Sequence, residues 1–216
     1  MSILKDLIKE RKTVKRYEKD FKISESDLIE IIDAGRLAPS GFGLQQVEAL
    51  VFSTDKLKSK VAKAFQGYNE DNINSASALI VLVGIKTKMY EKNNGALIDE
   101  KLLNNSKIAE PKRTELKEHL LKVYPNIELK EEYDLMNAAI QIGFMALRAT
   151  ELNLGTTIMT GFSISDLTNV LNELNLLLQG RRPVIALAIG KPNIDFPGNN
   201  REKNRIALNE YATFVK

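Results

Sequence analysis

Apolar residues recur along this chain with two periods. At the start, Ile3, Leu4, Leu7 and Ile8 fall at helical spacing behind Ser2, which predicts a capped helix that buries those four side chains. Ser24 opens a second helical pattern through Leu28, Ile31, Ile32 and Ala34, which ends before Pro39. Residues 49–53 read as a strand, and Thr54 opens a helix carrying Leu57, Val61 and Ala64. Residues 78–85 and 183–190 are apolar on both faces, as central strands are. The longest periodic helix runs over residues 131–152. Its small residues Ala138, Ala139, Gly143 and Ala146 suit a core or a dimer seam. Residues 155–159 read as a strand, and Ser163 caps a further helix.

This order of elements predicts an α+β fold: one small mixed sheet wrapped by helices. A single domain over residues 1–216 is expected, with a charged, partly helical excursion at about 88–130. The tail from about residue 196 to 216 is mostly irregular. It ends in a β-prone stretch, residues 211–215, for which another protomer's sheet edge is one destination.

Composition narrows the chemistry. The 216 residues are 44% hydrophobic and 27% charged, ordinary for a globular protein, and the net charge of +3 is too small for a dedicated nucleic-acid binder. There is no cysteine, which excludes thiol nucleophiles and zinc–thiolate sites. The single histidine, His119, lies in a charged helical pattern and supports neither a catalytic triad nor a multi-histidine metal site. Redox chemistry would therefore need a bound organic cofactor. No signal peptide or membrane-length apolar run is visible, so a cytoplasmic, membrane-free protein is expected. Neither a dinucleotide-binding glycine fingerprint nor a phosphate-binding P-loop is present.

Local charge is more telling than the total. Residues 11–16 form a basic run with Thr13 inside it, and Lys203-Asn204-Arg205 is its counterpart near the other end. If the run is extended, Arg11, Thr13 and Lys15 share one side. A forked guanidinium, a hydroxyl and an ammonium together suit a phosphate. Arg16 is expected to face away in a structural role. A solvated basic surface is the other reading.

Several motifs together resemble the nitroreductase family of flavin enzymes, over residues 7 to about 208. They are the Lys9–Tyr17 run, the Leu37–Gln45 loop and the Ala49–Phe52 strand. To these are added Asn69-x-x-Asn72, Leu154-Gly155 with Met159-Thr160-Gly161-Phe162, and Ile189-Gly190-Lys191-Pro192 with Lys203 and Arg205 beyond. The resemblance implies a nitroreductase-like fold and an intertwined homodimer with C-terminal tail exchange. It implies FMN at the subunit interface and NADH or NADPH as electron donor. Arg11, Lys12, Thr13 and Lys15 are then implied to hold the phosphate and ribityl chain, with Lys203 and Arg205 closing on the phosphate. Asn69 and Asn72 would face the polar edge of the flavin. Met159, Thr160 and Gly161 would lie beside its rings. Pro39, Ser40, Gly41, Gly43 and Gln45 would come from the other protomer, and Phe42 would shape the acceptor pocket.

The resemblance implies hydride transfer through the flavin to nitroaromatics, quinones or related small acceptors, with no side-chain acid or base, no metal and no nucleic acid. Flavin reductase, dehalogenase or dehydrogenase chemistry on the same fold is an alternative. A non-catalytic nucleotide- or RNA-binding protein using residues 9–22 is another. The chain departs from the family pattern in Gln46-Val47 after the loop, in Gly43 where many relatives carry Asn, and in Thr160 where a larger polar residue is common.

Overall fold

The computed structural model describes residues 3–104, 106–129 and 132–215, so the expected cap Ser2 and helix start Glu131 lie outside the described residues. The helices are α1 (Ile3–Glu10), α2 (Glu25–Arg36), α3 (Asp55–Ala62), α4 (Asn69–Ser75), α5 (Lys88–Glu91), α6 (Ala96–Ile98), α7 (Lys112–Val123), α8 (Tyr133–Glu151), α9 (Ile164–Glu173) and α10 (Leu208–Tyr211). The strands are β1 (Val47–Phe52), β2 (Ala78–Ile85), β3 (Gly155–Met159) and β4 (Arg181–Gly190). They form one sheet in the order β1-β2-β4-β3, with every named pair antiparallel. The expected small sheet is present, and the resemblance's fold with it.

The sheet is central because its two middle strands have no polar face. Along β2, Leu79, Val81 and Val83 face one core with Phe65, Ile73, Leu167 and Leu171. The alternate residues Ala78, Ile80 and Leu82 face a second core built by α2 and α8. Each fully buried aliphatic side chain contributes about 1.5–3 kcal/mol. Two serines start helices as their positions foretell. Ser24 accepts the Asp27 N–H at 3.0 Å and Ser163 accepts the Asp166 N–H at 3.2 Å. Where α2 crosses α8, Gly35 lets the backbone approach, since a Cβ there would collide with the Met145 side chain.

The excursion is packed, with a third core of its own. Leu44 and Ile85 from the main body meet Tyr90, Ile98, Leu103, Leu120 and Tyr124 from the excursion.

One expectation fails, and the arm makes no strand within its own chain. Helix α1 buries none of its residues: Ile3, Leu4 and Ile8 are 73%, 55% and 53% exposed. Amphipathic spacing reports that a partner surface is needed, and this chain alone does not supply it. Residues 211–215 form no strand; α10 ends at Tyr211, and Phe214 and Val215 are exposed. A β-prone segment pairs only where a free sheet edge meets it. Helix α8 likewise buries Ala138, Ile142, Met145 and Ala149 while exposing Leu135, Met136, Ile140 and Phe144.

Candidate functional site

The basic run is bolted to the sheet edge. Thr13 bridges Thr156 of β3 in parallel, and the Val14 N–H donates to the Thr156 carbonyl at 3.0 Å. Val14 is buried, and so is Tyr17, whose hydroxyl meets Thr157 Oγ1 at 2.8 Å and the Ala188 carbonyl at 3.1 Å. Burial raises the Tyr17 phenol's pKa. Between these anchors, Arg11, Lys12, Thr13 and Lys15 are held at the surface. Tyr17 is thus unavailable as a base-stacking platform, which removes an aromatic from the nucleic-acid reading.

The distant basic pair comes to the same place. Arg11, Lys12, Thr13 and Lys15 line one cleft with Arg201, Lys203 and Arg205. Sequence inspection missed the organiser of this meeting, Asn199. Its buried amide accepts the Lys15 N–H at 2.6 Å and donates to the carbonyls of Arg16 and Asn193, both at 2.7 Å. One side chain thereby ties the 14–17 segment to the loop after β4. An isolated asparagine has no motif, so only the pairing of segments shows its role.

The cleft's lining is predominantly basic, with Glu202 as its one acid. Burial and then the Arg205 charge lower the Arg11 pKa, and burial, Arg11 and Arg205 lower that of Lys203. Among the described residues, none of Arg11, Lys12, Lys15, Arg201, Lys203 and Arg205 pairs with a carboxylate. Lys203 instead donates to the Ile8 carbonyl in the last turn of α1, where helix carbonyls carry partial negative charge. Crowded cations left without an ion-pair partner gain most from a bound anion.

Helix α4 builds the adjoining wall. Asn69 and Asn72 stand three residues apart, on one helical face. Asn69 Nδ2 donates to the Gly161 carbonyl at 3.2 Å, which also accepts the Gln66 N–H at 3.0 Å. This holds the end of β3, with exposed Thr160, beside α4. Met159 turns its side chain into the core, leaving its backbone as the group that could face a ligand. Asn72 is fully buried, and Arg16 donates to its Oδ1 at 2.9 Å. Arg16 does not face away, as expected. Alternation would bury residues 14 and 16, but Val14 and Tyr17 are the buried pair, so Arg16 swings toward α4.

The Pro39–Gln45 loop lies elsewhere. Ser40 and Gln45 line a separate cavity of about 240 Å³ with Arg36, Gln141 and Met145. The loop is tightly wound, with Phe42, Gly43 and Gln45 at φ of 56°, 69° and 50°. A buried amide network holds it: the Gly41 N–H donates to Asn137 at 2.9 Å, Asn137 Nδ2 to Gln46 Oε1 at 3.1 Å, and Gln46 Nε2 to the Gly41 carbonyl at 3.1 Å. Gly41 has no Cβ because one would sit 2.7 Å from the Tyr133 ring. Phe42, 43% exposed, stacks at 6.4 Å on Tyr133 and meets Tyr124 edge-on at 6.1 Å. Gln46, a departure from the family pattern, is therefore a structural keystone, and the excursion is the loop's scaffold.

No group of metal-ligating side chains and no helix long and apolar enough to cross a membrane occurs among the described residues. The family model described as the nitroreductase family matches residues 8–191. The chain is 27% identical over 172 residues to an oxygen-insensitive NADPH nitroreductase of Helicobacter acinonychis, covering 78% of this chain and 79% of that one. It is 24% identical over 225 residues to the major NAD(P)H-flavin oxidoreductase of Aliivibrio fischeri, covering 99% and 98%. A solved structure from Exiguobacterium sibiricum, in complex with FMN, matches with a TM-score of 0.78 at 19% identity, covering 100% of this chain and 98% of that one.

Proposed function

The chain belongs to the nitroreductase family, and from that premise we propose that it is an FMN-dependent oxidoreductase that uses NADH or NADPH to reduce nitroaromatics, quinones or related small acceptors. The observation that carries the reading is the convergence of Arg11, Lys12, Thr13, Lys15, Lys203 and Arg205 on one cleft. Beside it, Nδ2 of fully buried Asn72 has no hydrogen-bond partner among the described residues. An unmade buried donor costs about 1–3 kcal/mol, and an acceptor atom on a bound flavin would recover it.

FMN, when bound, would supply the hydride chemistry between nicotinamide and acceptor. The chain supplies position and electrostatics. Arg11, Lys12, Thr13, Lys15, Lys203 and Arg205 hold the phosphate and ribityl oxygens. A single cation about 4 Å from a unit negative charge contributes on the order of 4 kcal/mol of gross attraction near the surface, much of it offset by desolvation. Asn69 and Asn72 would hold the polar edge of the ring system. Backbone groups of Met159, Thr160 and Gly161 would lie beside its rings. Cations beside that edge favour negative charge there.

The site is completed by a second copy of the chain. Unpartnered apolar residues on α1 and α8, together with the exposed arm residues Ile206, Leu208, Tyr211 and Phe214, supply the surface for a homodimer. The partner loop then contributes Pro39, Ser40, Gly41, Gly43 and Gln45, with Phe42 bordering the acceptor. The exposed ring of Phe42, already backed by two tyrosines, supports that role.

Purification tests the reading. A yellow protein that releases FMN on denaturation and oxidises NADH or NADPH with a quinone or nitroaromatic is expected. A colourless protein that refuses added FMN would sink it.

A further inference from the structure

We infer that Arg16 is a positioning residue for the cofactor edge and acts through Asn72; the inference rests on the cleft being an FMN site. Arg16 Nη1 donates to Asn72 Oδ1 at 2.9 Å. A guanidinium has donors and no acceptor, so the amide oxygen must face it and the NH₂ must face away. The usual ambiguity between amide oxygen and nitrogen is thus settled by chemistry. The NH₂ so oriented is the buried group without a partner.

Arg16 is itself fixed from several directions. Its Nη2 pairs with Asp71 at 2.8 Å, its Nη1 also donates to the Lys15 carbonyl at 2.7 Å, and its Cζ lies 5.4 Å from the Phe196 ring centroid. Its backbone is held by Asn199, the same side chain that closes the phosphate cleft. A rigid arginine orients a rigid amide.

Asn72 lies at the wall of a cavity of about 490 Å³, lined also by Lys15, Arg16, Tyr68, Phe196 and Arg201, and a small side-chain adjustment would present its buried donor there. Lys15 and Arg201 also line the phosphate cleft, so the two spaces adjoin. A ligand spanning both would place a phosphate at one end and a polar ring edge at the other. The atom that Asn72 takes is therefore an acceptor, a carbonyl oxygen or an unprotonated ring nitrogen of the flavin.

The test is a mutant cycle read by FMN titration of the apoprotein, followed by the midpoint potential of the bound flavin. Arg16→Ala and Asn72→Ala should each weaken FMN binding roughly ten-fold. The double variant should be no weaker than Asn72→Ala, because one residue works through the other. Asn72→Asp keeps a partner for Arg16, removes the donor and adds negative charge, so the midpoint potential should fall. Additive losses in the double variant, or unchanged affinity in Arg16→Ala, would overturn the inference. Should Arg16→Ala fail to fold, Asn72→Asp decides: unchanged affinity and potential refute the role. If the parent itself binds no FMN, the reading of the cleft falls and the inference with it. That outcome is distinct from a parent that binds normally while its Arg16 variants do too.

Discussion

The phosphate cleft and the Pro39–Gln45 loop are both made by polar groups and glycines, yet they are built differently. The cleft is assembled within one chain from segments almost two hundred positions apart, and Asn199 and the sheet edge hold it. The loop is braced by Gln46, by Asn137 and Tyr133 of α8 and by Tyr90 and Tyr124 of the excursion, and its cavity shares no lining residue with the cleft. The first is a charge trap ready for an anion. The second is a shaped, rigid surface that awaits something from outside the chain. The contrast teaches that affinity for the cofactor and shape of the acceptor pocket are separable by mutation.

The largest effect should come from the cleft. Lys203→Ala with Arg205→Ala removes two charged donors and should weaken FMN binding by at least about a hundred-fold in a fluorescence titration. Ser40→Ala in the loop should change it far less, by under about ten-fold, since a neutral hydroxyl that already accepts the Gln45 N–H at 3.1 Å can offer the cofactor at most one uncharged hydrogen bond. Next, Ile140→Glu on the exposed face of α8 should convert the dimer to monomer by light scattering, and FMN retention should become concentration-dependent through linkage. A monomeric parent would break the proposal that the loop serves a neighbouring site.

The two amide keystones sharpen the comparison. Asn199→Ala and Gln46→Ala should each cost about 1–3 kcal/mol in denaturant unfolding, because each strands buried polar groups. Asn199→Ala should loosen FMN more than Gln46→Ala does, since it sets the phosphate cleft. Equal effects on FMN would erase the distinction.

The smallest effect is on pH dependence. Burial, Arg11 and Arg205 hold the Lys203 pKa below its ordinary 10.5. The unfolded chain therefore binds more protons in the window between the depressed value and 10.5, so apoprotein stability should rise with pH across it. Phosphate binding favours the charged lysine, so FMN affinity should fall across the same window. The lysine is largely exposed, and both slopes will be shallow and salt-sensitive.

What could be read from the chain follows the same division. The central strands declared themselves by being apolar on both faces, and Ser24 and Ser163 by their positions before helical patterns. The cations of the cleft were legible because charge and hydroxyl types reveal phosphate chemistry. Asn199 was not, since its meaning depends on what the fold brings beside it. Arg16 was misread because strict alternation was assumed, whereas the chain bends at Lys15 and turns Tyr17 inward, where it bridges Pro192. Helix α1 was misread for a different reason, and the 211–215 arm raises the same point. Their apolar patterns describe contacts that one chain cannot make with itself.

The most direct measurement is a paired titration of the apoprotein with FMN and with riboflavin, which differ only in the phosphate. FMN should bind at least about a hundred-fold more tightly, and the advantage should collapse in the Lys203→Ala, Arg205→Ala double variant. Equal affinity for the two flavins in the parent protein would contradict the cleft as a phosphate trap.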